Sequence, residues 1–408
     1  MQWFEYLGVF VMMYPGVMAV YWTLSGILYF LLWERSAEEP AYEFDADAPM
    51  VSVLIPCYNE AGNLNQSIPH LLKLAYPNYE LIFINDGSSD KTGSIISGWA
   101  KIEPKIIAIN QENSGKAAAM NNGLRQARGK YIVGIDGDAI LDYHAVSYMV
   151  QTLENDATLG AVTGNPCVRN RSTVLGKLQV AEFSSIIGLI KRAQSVMGTL
   201  FTVSGVIVAL RKDVVDHIGG WSTNMITDDI DVSWKVQMDG YNIAYDPRAL
   251  CWVLMPETIR GLFKQRLRWA QGGAEVIIKY FSSVWRWRNL RLWPLYFEYI
   301  VTLVWAYSMF TLMIFGFYQA FMHMNYDFSL LEVSSIMTFL LFMLQFSVSM
   351  ILDSRYEKGL MRYFITCIWY PYAYWILNSL TLVIGFPKAL FRNKDKAAVW
   401  VSPDRGVQ

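Results

Sequence analysis

Asp136-Gly137-Asp138 sets two carboxylates two residues apart, directly after the β-forming run Tyr131-Ile132-Val133-Gly134-Ile135. Side chains two apart on an extended segment share a face, so both can converge on one cation. Hard divalent ions such as Mg2+ or Mn2+ accept one or two carboxylates and fill the remaining positions with substrate phosphates and water. Such an ion would offset charge growing on a departing diphosphate. Further along, Thr227-Asp228-Asp229 puts two acidic residues side by side. Mutual repulsion is one way to tune a carboxylate as a general base. The same residues also suit the first turn of a helix over 227–238, and both readings hold together. Asp86, ahead of Gly87-Ser88-Ser89-Asp90, can accept hydrogen bonds from a base edge or a ribose, or cap the next helix. The last cluster is Gln265-Arg266-Leu267-Arg268-Trp269, inside a basic and aromatic stretch from Pro256 to Phe281. Arg268 suits a two-pronged grip on a diphosphate and Trp269 a flat face for a sugar. Standing alone, the cluster reads equally as a lipid-headgroup anchor.

These side chains need a scaffold that brings distant segments together. Short apolar runs at Val51–Ile55, Glu80–Ile84, Ile106–Ile109 and Tyr131–Ile135 alternate with helical patterns, one opening near Ser114. Alternation of this kind marks βαβ units and a mainly parallel sheet. In open α/β sheets, ligands bind beyond the carboxyl ends of the strands. Pro56–Glu60, Asp86, Asn113–Lys116 and Asp136–Asp138 all fall there.

Composition limits the alternatives. The chain carries 34 basic and 35 acidic residues, a formal net charge of −1, which gives no support for nucleic-acid binding. Its four cysteines lie far apart and read as reduced thiols, and its four scattered histidines argue against zinc. The apolar fraction of 53% is unevenly spread: Tyr6 to Trp33 has no charged residue, and three further apolar stretches follow, at about Leu295–Phe321, Val333–Leu352 and Tyr363–Phe386. Each is long enough to cross a bilayer. The expected organisation is a transmembrane anchor at 6–33, an α/β domain at 50–255, interfacial amphipathic helices at 256–290, transmembrane helices at 295–386 and a basic tail at 387–408. Tyr14-Pro15-Gly16 is expected to kink the anchor, and Thr173–Ile190 reads as a second interfacial helix with Lys177, Glu182 and Lys191 on its polar side. By the positive-inside rule the N-terminus lies outside and the α/β domain inside. Lys279, Arg286, Arg288 and Arg291 mark the inner side before the second span, and Arg355, Lys358 and Arg362 mark it again after the third. The connection from His323 to Glu332 has no Lys or Arg and reads as external. The basic tail then conflicts with a further crossing, unless the last stretch bends back around Pro371, so the total is four or five spans.

Taken in order, these motifs resemble those of the processive, inverting, membrane-embedded glycosyltransferases of family 2, a group that includes cellulose, chitin and hyaluronan synthases. The family pattern of a first Asp, an Asp-x-Asp, a Thr-Glu-Asp and a Gln-x-x-Arg-Trp maps onto Asp86, Asp136/Asp138, Thr227–Asp229 and Gln265–Trp269. Within the group the chain is most similar to bacterial poly-β-1,6-N-acetyl-D-glucosamine synthases, through Val162–Pro166, Arg169–Thr173, Ser184–Arg192, Phe201–Val206, Leu254–Thr258 and Trp400–Gly406. It departs from the pattern at Asp228, where the family usually has Glu, and in showing one N-terminal span where some relatives have two.

The resemblance implies a GT-A-like nucleotide-sugar-binding α/β domain with a mainly parallel sheet, inserted between transmembrane helices of a bacterial inner membrane, with its catalytic domain cytoplasmic. It implies UDP-N-acetylglucosamine as donor, a growing polysaccharide as acceptor, the lipid bilayer as surroundings and Mg2+ or Mn2+ as cofactor, and it leaves room for a small membrane partner subunit. Pro56, Tyr58, Glu60, Asp86 and Lys116 would hold the uridine side. Asp136 and Asp138 would hold the diphosphate through the metal, with Ser204, Asp228, Arg266 and Arg268 also on the substrate. Asp229 would be the base, Arg268 would stabilise the leaving group, and Gln265 with Trp269 would seat the acceptor sugar. Chitin or hyaluronan synthesis is the nearest alternative, and a transporter or scaffold with a degenerate nucleotide domain the more distant one.

Overall fold

A computed structural model describes residues 2–37, 44–322 and 329–393. The expectations for Lys394 and Lys396, for the likeness at Trp400–Gly406 and for residues 323–328 of the external connection therefore lie outside the described residues. The chain divides into two compact units, with elements numbered here along the sequence.

The first unit comprises Ser36–Asn170 and Gly198–Glu257. Its sheet is built from β1 (Val51–Cys57), β2 (Tyr79–Asp86), β3 (Ile106–Gln111), β4 (Tyr131–Gly134), β5 (Ile140–Leu141), β6 (Leu159–Val168), β7 (Val208–Arg211) and β8 (Asn242–Val253). Around it lie α2 (Ala61–Leu71), α3 (Thr92–Ile102), α4 (Lys116–Gln126), α5 (Ala145–Asn155), α8 (Lys212–His217) and α9 (Asp228–Met238). The strand order is β3-β2-β1-β4-β7-β6-β8-β5. The first four strands are parallel, as expected from their runs of Val, Ile and Leu, and every residue of β1 and β4 is buried. Strands covered by helices on both faces read as continuous apolar stretches for this reason. Beyond β4 the sheet is mixed: β7 is antiparallel to β4 and to β6, β8 is parallel to β6, and β5 is antiparallel to β8. Leu54, Ile82, Met120, Ile132, Leu210 and Val236 belong to the core that fills this unit. The chain runs outward from β1 through β2 to β3, then returns to the other side of β1 at β4. Loops at the carboxyl ends of β1 and β4 therefore diverge there and leave a crevice.

The second unit is helical and comprises the N-terminal segment to Arg35 with Arg171–Met197 and Thr258–Arg392. It contains α1 (Gln2–Tyr29), α6 (Val174–Glu182), α7 (Leu189–Ser195), α10 (Ile259–Val284), α11 (Trp293–Phe321), α12 (Ser329–Asp353) and α13 (Tyr370–Phe391). By length and composition, four helical stretches among the described residues can cross a membrane: Phe4–Glu34, Trp287–Gln319, Val333–Asp353 and Tyr370–Phe391. α1 runs unbroken past Pro15 into a π-helical turn at Phe30–Glu34. The last apolar stretch is neither one helix nor a hairpin about Pro371. A 3-10 turn at Leu360–Tyr363 leads into α13, and Pro371 sits in its first turn, where a missing N–H costs nothing.

The interfacial reading of Thr173–Ile190 needs correction. Thr173 caps α6 by accepting from Gly176 N at 3.0 Å, and a π-helical turn at Phe183–Gly188 joins α6 to α7. Glu182 and Lys191, expected on the polar side of an interfacial helix, are buried. So is the next residue, Arg192, which is 0% exposed. Its Nε donates to Glu34 Oε1 and its Nη1 to Asp353 Oδ1 at 2.6 Å, and Tyr356 Oη donates to Glu34 Oε2 at 3.0 Å. One guanidinium thus ties the ends of two candidate spans. The distribution of basic residues had assigned those two ends to the same side of the membrane.

Candidate active site

The crevice at the carboxyl ends of β1, β2 and β4 is lined by Pro56, Cys57, Tyr58, Glu60, Asp86, Lys116, Asp136 and Gly137. Six of these eight are residues that the sequence singles out. The loops after β1 and β2 are knotted to each other. Asn59 N donates to Ser88 Oγ at 3.0 Å, Asn59 Oδ1 accepts from Ser89 N at 2.9 Å, and Ala61 N donates to Asp90 Oδ2 at 3.1 Å. Glu60 is buried, with its backbone N–H on Thr92 Oγ1 at 2.8 Å and its Oε2 accepting from Asn63 Nδ2 at 2.8 Å.

Asp86 is 2% exposed and does not cap the helix that follows it. Its Oδ1 accepts from Gln111 Nε2 and from Ser114 N, both at 2.8 Å, and its Oδ2 from Gly115 N at 2.9 Å. The carboxylate therefore organises the loop entering α4. Gly87 permits this approach: its φ is +68°, and a Cβ there would lie 2.6 Å from Asn113 N.

From the first turn of α4, Lys116 Nζ reaches Asp136 Oδ1 at 2.5 Å and the carbonyl of Gly205 at 3.2 Å. Burial alone would lower the Lys116 pKa. The carboxylates of Asp136, Asp228 and Asp229 outweigh that effect and hold it above the ordinary lysine range, so the ammonium is a fixed positive charge. Gly205 marks where these groups meet. The position of a Cβ on it would lie 3.3 Å from Asp229 Oδ2 and 3.4 Å from Lys116 Nζ. Asp229 stands in the first turn of α9, with Oδ1 accepting from Ile230 N at 2.9 Å and its carbonyl accepting from Ser233 Oγ at 2.6 Å. Asp228 opens the same turn. Ser204, beside Gly205, is held by donation from its N–H to Thr163 Oγ1 at 2.8 Å.

Asp138 is buried, at 7% exposure. Burial, then the nearby charges of Asp136 and Asp138, push the Cys251 thiol well above its usual pKa, which puts both carboxylates in one neighbourhood. Their oxygen donors fit a hard divalent ion. Lys116 already engages one oxygen of Asp136. Among the described residues no three His, Cys, Asp or Glu side chains gather in a metal cage. An ion here would complete its shell with phosphate oxygens and water.

In the helical unit, α10 carries the remaining expected residues, and its N-terminus is capped by Thr258, which accepts from Gly261 N at 3.0 Å. Gln265 and Arg266 are buried, while Arg268 and Trp269 are half-buried. Arg266 was expected on the substrate, but its guanidinium is occupied within the unit by Glu182 and Gln265. Arg268 makes no hydrogen bond or ion pair among the described residues. Glu182 stood on the polar side of the expected interfacial helix, beside Lys177, and nothing in its local sequence points to Arg266.

Comparison with known proteins bears on the family and the fold. The profile of the family described as "Glycosyltransferase like family 2" matches residues 48–272. The chain is 41% identical over 403 residues to a poly-beta-1,6-N-acetyl-D-glucosamine synthase of Staphylococcus epidermidis, spanning 97% of this chain and 98% of the relative. It is also 41% identical over 416 residues to the protein of the same name in Staphylococcus aureus strain MSSA476, spanning 100% of this chain and 99% of the relative. Among solved structures, the mannosyltransferase PcManGT from Pyrobaculum calidifontis, in complex with GDP-Man and Mn2+, has a TM-score of 0.62 at 21% identity, covering 93% of this chain and 99% of that one. That likeness is one of fold and agrees with the GT-A-like architecture.

Proposed function

The chain belongs to the glycosyltransferase-like family 2, and from that premise we propose that it polymerises N-acetylglucosamine from UDP-N-acetylglucosamine into a β-1,6-linked chain and passes the product across the cell membrane. The observation that carries this reading is 41% identity over nearly the full length to synthases of that name. It is supported by carboxylates from two segments of the chain, Asp136 after β4 and Asp228 with Asp229 at the start of α9, clustered around Lys116. The uridine side of the donor lies against Tyr58, Glu60 and the loop that Asp86 organises. Asp138 and Asp136 hold a Mg2+ or Mn2+ ion, which when bound offsets negative charge on the diphosphate. Lys116 keeps Asp136 in place and contributes a permanent positive charge at the same spot.

Asp229 takes the proton from an acceptor hydroxyl. The hydroxyl oxygen then bonds to the anomeric carbon from the face opposite UDP, the bond from that carbon to the diphosphate oxygen breaks, and α configuration becomes β. Arg268, free of any protein counter-charge among the described residues, stabilises the leaving UDP. Gln265 and Trp269 seat the acceptor sugar. The four apolar helices give the protein a membrane setting, and the Lys and Arg distribution supports a cytoplasmic side for the α/β unit.

Purified protein in proteoliposomes, supplied with UDP-N-acetylglucosamine alone and Mn2+, is expected to make polymer with β-1,6 linkages only, and EDTA is expected to stop it. A β-1,4-linked product would reassign the enzyme to chitin-type synthesis. A requirement for a second sugar nucleotide would reassign it to hyaluronan-type synthesis.

A further inference from the structure

The guanidinium of Arg266 is used on every side. Nε donates to Glu182 Oε1 at 2.8 Å and Nη2 to Glu182 Oε2 at 2.7 Å, the two-pronged geometry that fixes a guanidinium plane. The remaining nitrogen, Nη1, donates to Gln265 Oε1 at 2.6 Å. One turn along α10, the Trp269 ring lies under the same guanidinium, with its centroid 4.1 Å from the guanidinium carbon. Arg266 and Glu182 are both about nine-tenths buried or more.

From this geometry we infer that Glu182 and Arg266 are a positioning pair for the acceptor-binding residues, an inference that rests on the reading that Gln265 and Trp269 seat the acceptor. A glutamine amide can turn either its carbonyl or its NH2 outward. A guanidinium has no acceptor, so an amide facing it must present its oxygen. Arg266 therefore commits Gln265 Oε1 inward and leaves Nε2, which makes no hydrogen bond among the described residues, to donate to an oxygen of the acceptor sugar. The same guanidinium covers one face of Trp269 and sets the tilt of the ring. Glu182 acts one step further back: without its carboxylate the guanidinium loses the two-pronged contact that fixes its plane. The two arginines of the motif thus divide the work. Arg266 orients its neighbours, and Arg268 is left to meet an anion.

The test compares polymer formation with uncoupled donor hydrolysis, in which water replaces the acceptor and releases free N-acetylglucosamine and UDP. Proteoliposomes of wild type, Arg266→Lys, Glu182→Gln and Gln265→Glu would be supplied with UDP-N-acetylglucosamine and Mn2+. Arg266→Lys keeps the charge but loses the fork, and Glu182→Gln weakens it. Both are expected to lower the ratio of transfer to hydrolysis by roughly tenfold or more, since small misplacements near reacting groups have effects of this size. UDP binding should not change. Gln265→Glu strengthens the contact to Arg266 yet removes the outward donor, so the protein should fold normally and show the same fall in ratio. A ratio unchanged from wild type in Gln265→Glu would overturn the inference, whatever happens to the folding of the other two. So would equal losses of transfer and hydrolysis in Arg266→Lys and Glu182→Gln. Absence of polymer from the wild type would instead refute the underlying functional reading.

Discussion

Replacing Asp229 by Asn is expected to lower polymer synthesis by roughly 10²–10⁴-fold, the usual contribution of a positioned general base. Asn has nearly the same shape. Its amide oxygen can still accept from Ile230 N, as Asp229 Oδ1 does at 2.9 Å. The close approach at Gly205 is kept, and the Lys116–Asp136 pair is untouched. What disappears is the ability to receive a proton from the acceptor hydroxyl. Titration of the purified variant with UDP-N-acetylglucosamine should therefore give a dissociation constant close to that of the wild type, while incorporation of labelled sugar collapses. Synthesis at near wild-type rates would remove Asp229 from the base role. Loss of binding in step with loss of synthesis would make it a donor-site residue instead.

The second large effect concerns folding of the helical unit. Arg192 is fully buried between Glu34 and Asp353, with two carboxylates sharing one guanidinium. Removing one partner of a buried ionic network leaves uncompensated charge in a poorly hydrated interior, at a cost of about 3–5 kcal/mol. Arg192→Met should thus lower the unfolding temperature in detergent strongly, or prevent recovery of folded protein. Neutralising the stranded acids as well, with Glu34→Gln and Asp353→Asn, should restore much of the loss, because the penalty comes from the orphaned charges rather than from missing contacts. Gly188 has a part in this packing. A Cβ there would lie 3.0 Å from Asp353 Oδ2 and 3.3 Å from Arg192 Nη1, so any side chain at this position would press on the converging groups. No rescue by the triple variant would mean that Arg192 matters through shape rather than charge.

Much of the α/β unit was legible because its signals are local. β1 to β4 are short runs of Val, Ile and Leu, and the parallel sheet that explains such runs also carries Pro56–Glu60, Asp86 and Asp136 to one end. The antiparallel insertion of β7 between β4 and β6 was not legible, since strand pairing over such separations leaves no periodic trace. The same holds for polar contacts. Asp86 was read as meeting a base edge or ribose or capping a helix, and its acceptance of N–H groups from the end of β3 and the loop before α4 depends on residues 25 to 29 positions away. The segment containing Glu182, Lys191 and Arg192 shows the main blind spot. An amphipathic pattern says that charged residues share a region, but not whether water or a distant counter-charge faces them. Arg192 meets Glu34 from 158 positions away, and Arg266 meets Glu182 from 84. Burial of these charges follows from partners that no local reading contains.

The central claim is that one cleft at the carboxyl ends of β1, β2 and β4 binds the sugar nucleotide and that Asp229 faces its reacting carbon. Electron cryo-microscopy of Asp229→Asn in lipid nanodiscs with UDP-N-acetylglucosamine and Mn2+ tests this most directly. The account predicts uridine beside Tyr58 and Glu60, the diphosphate and metal at Asp136 and Asp138, and the anomeric carbon turned towards position 229. Density for the nucleotide outside that cleft, or a sugar whose anomeric carbon faces away from position 229, would contradict it.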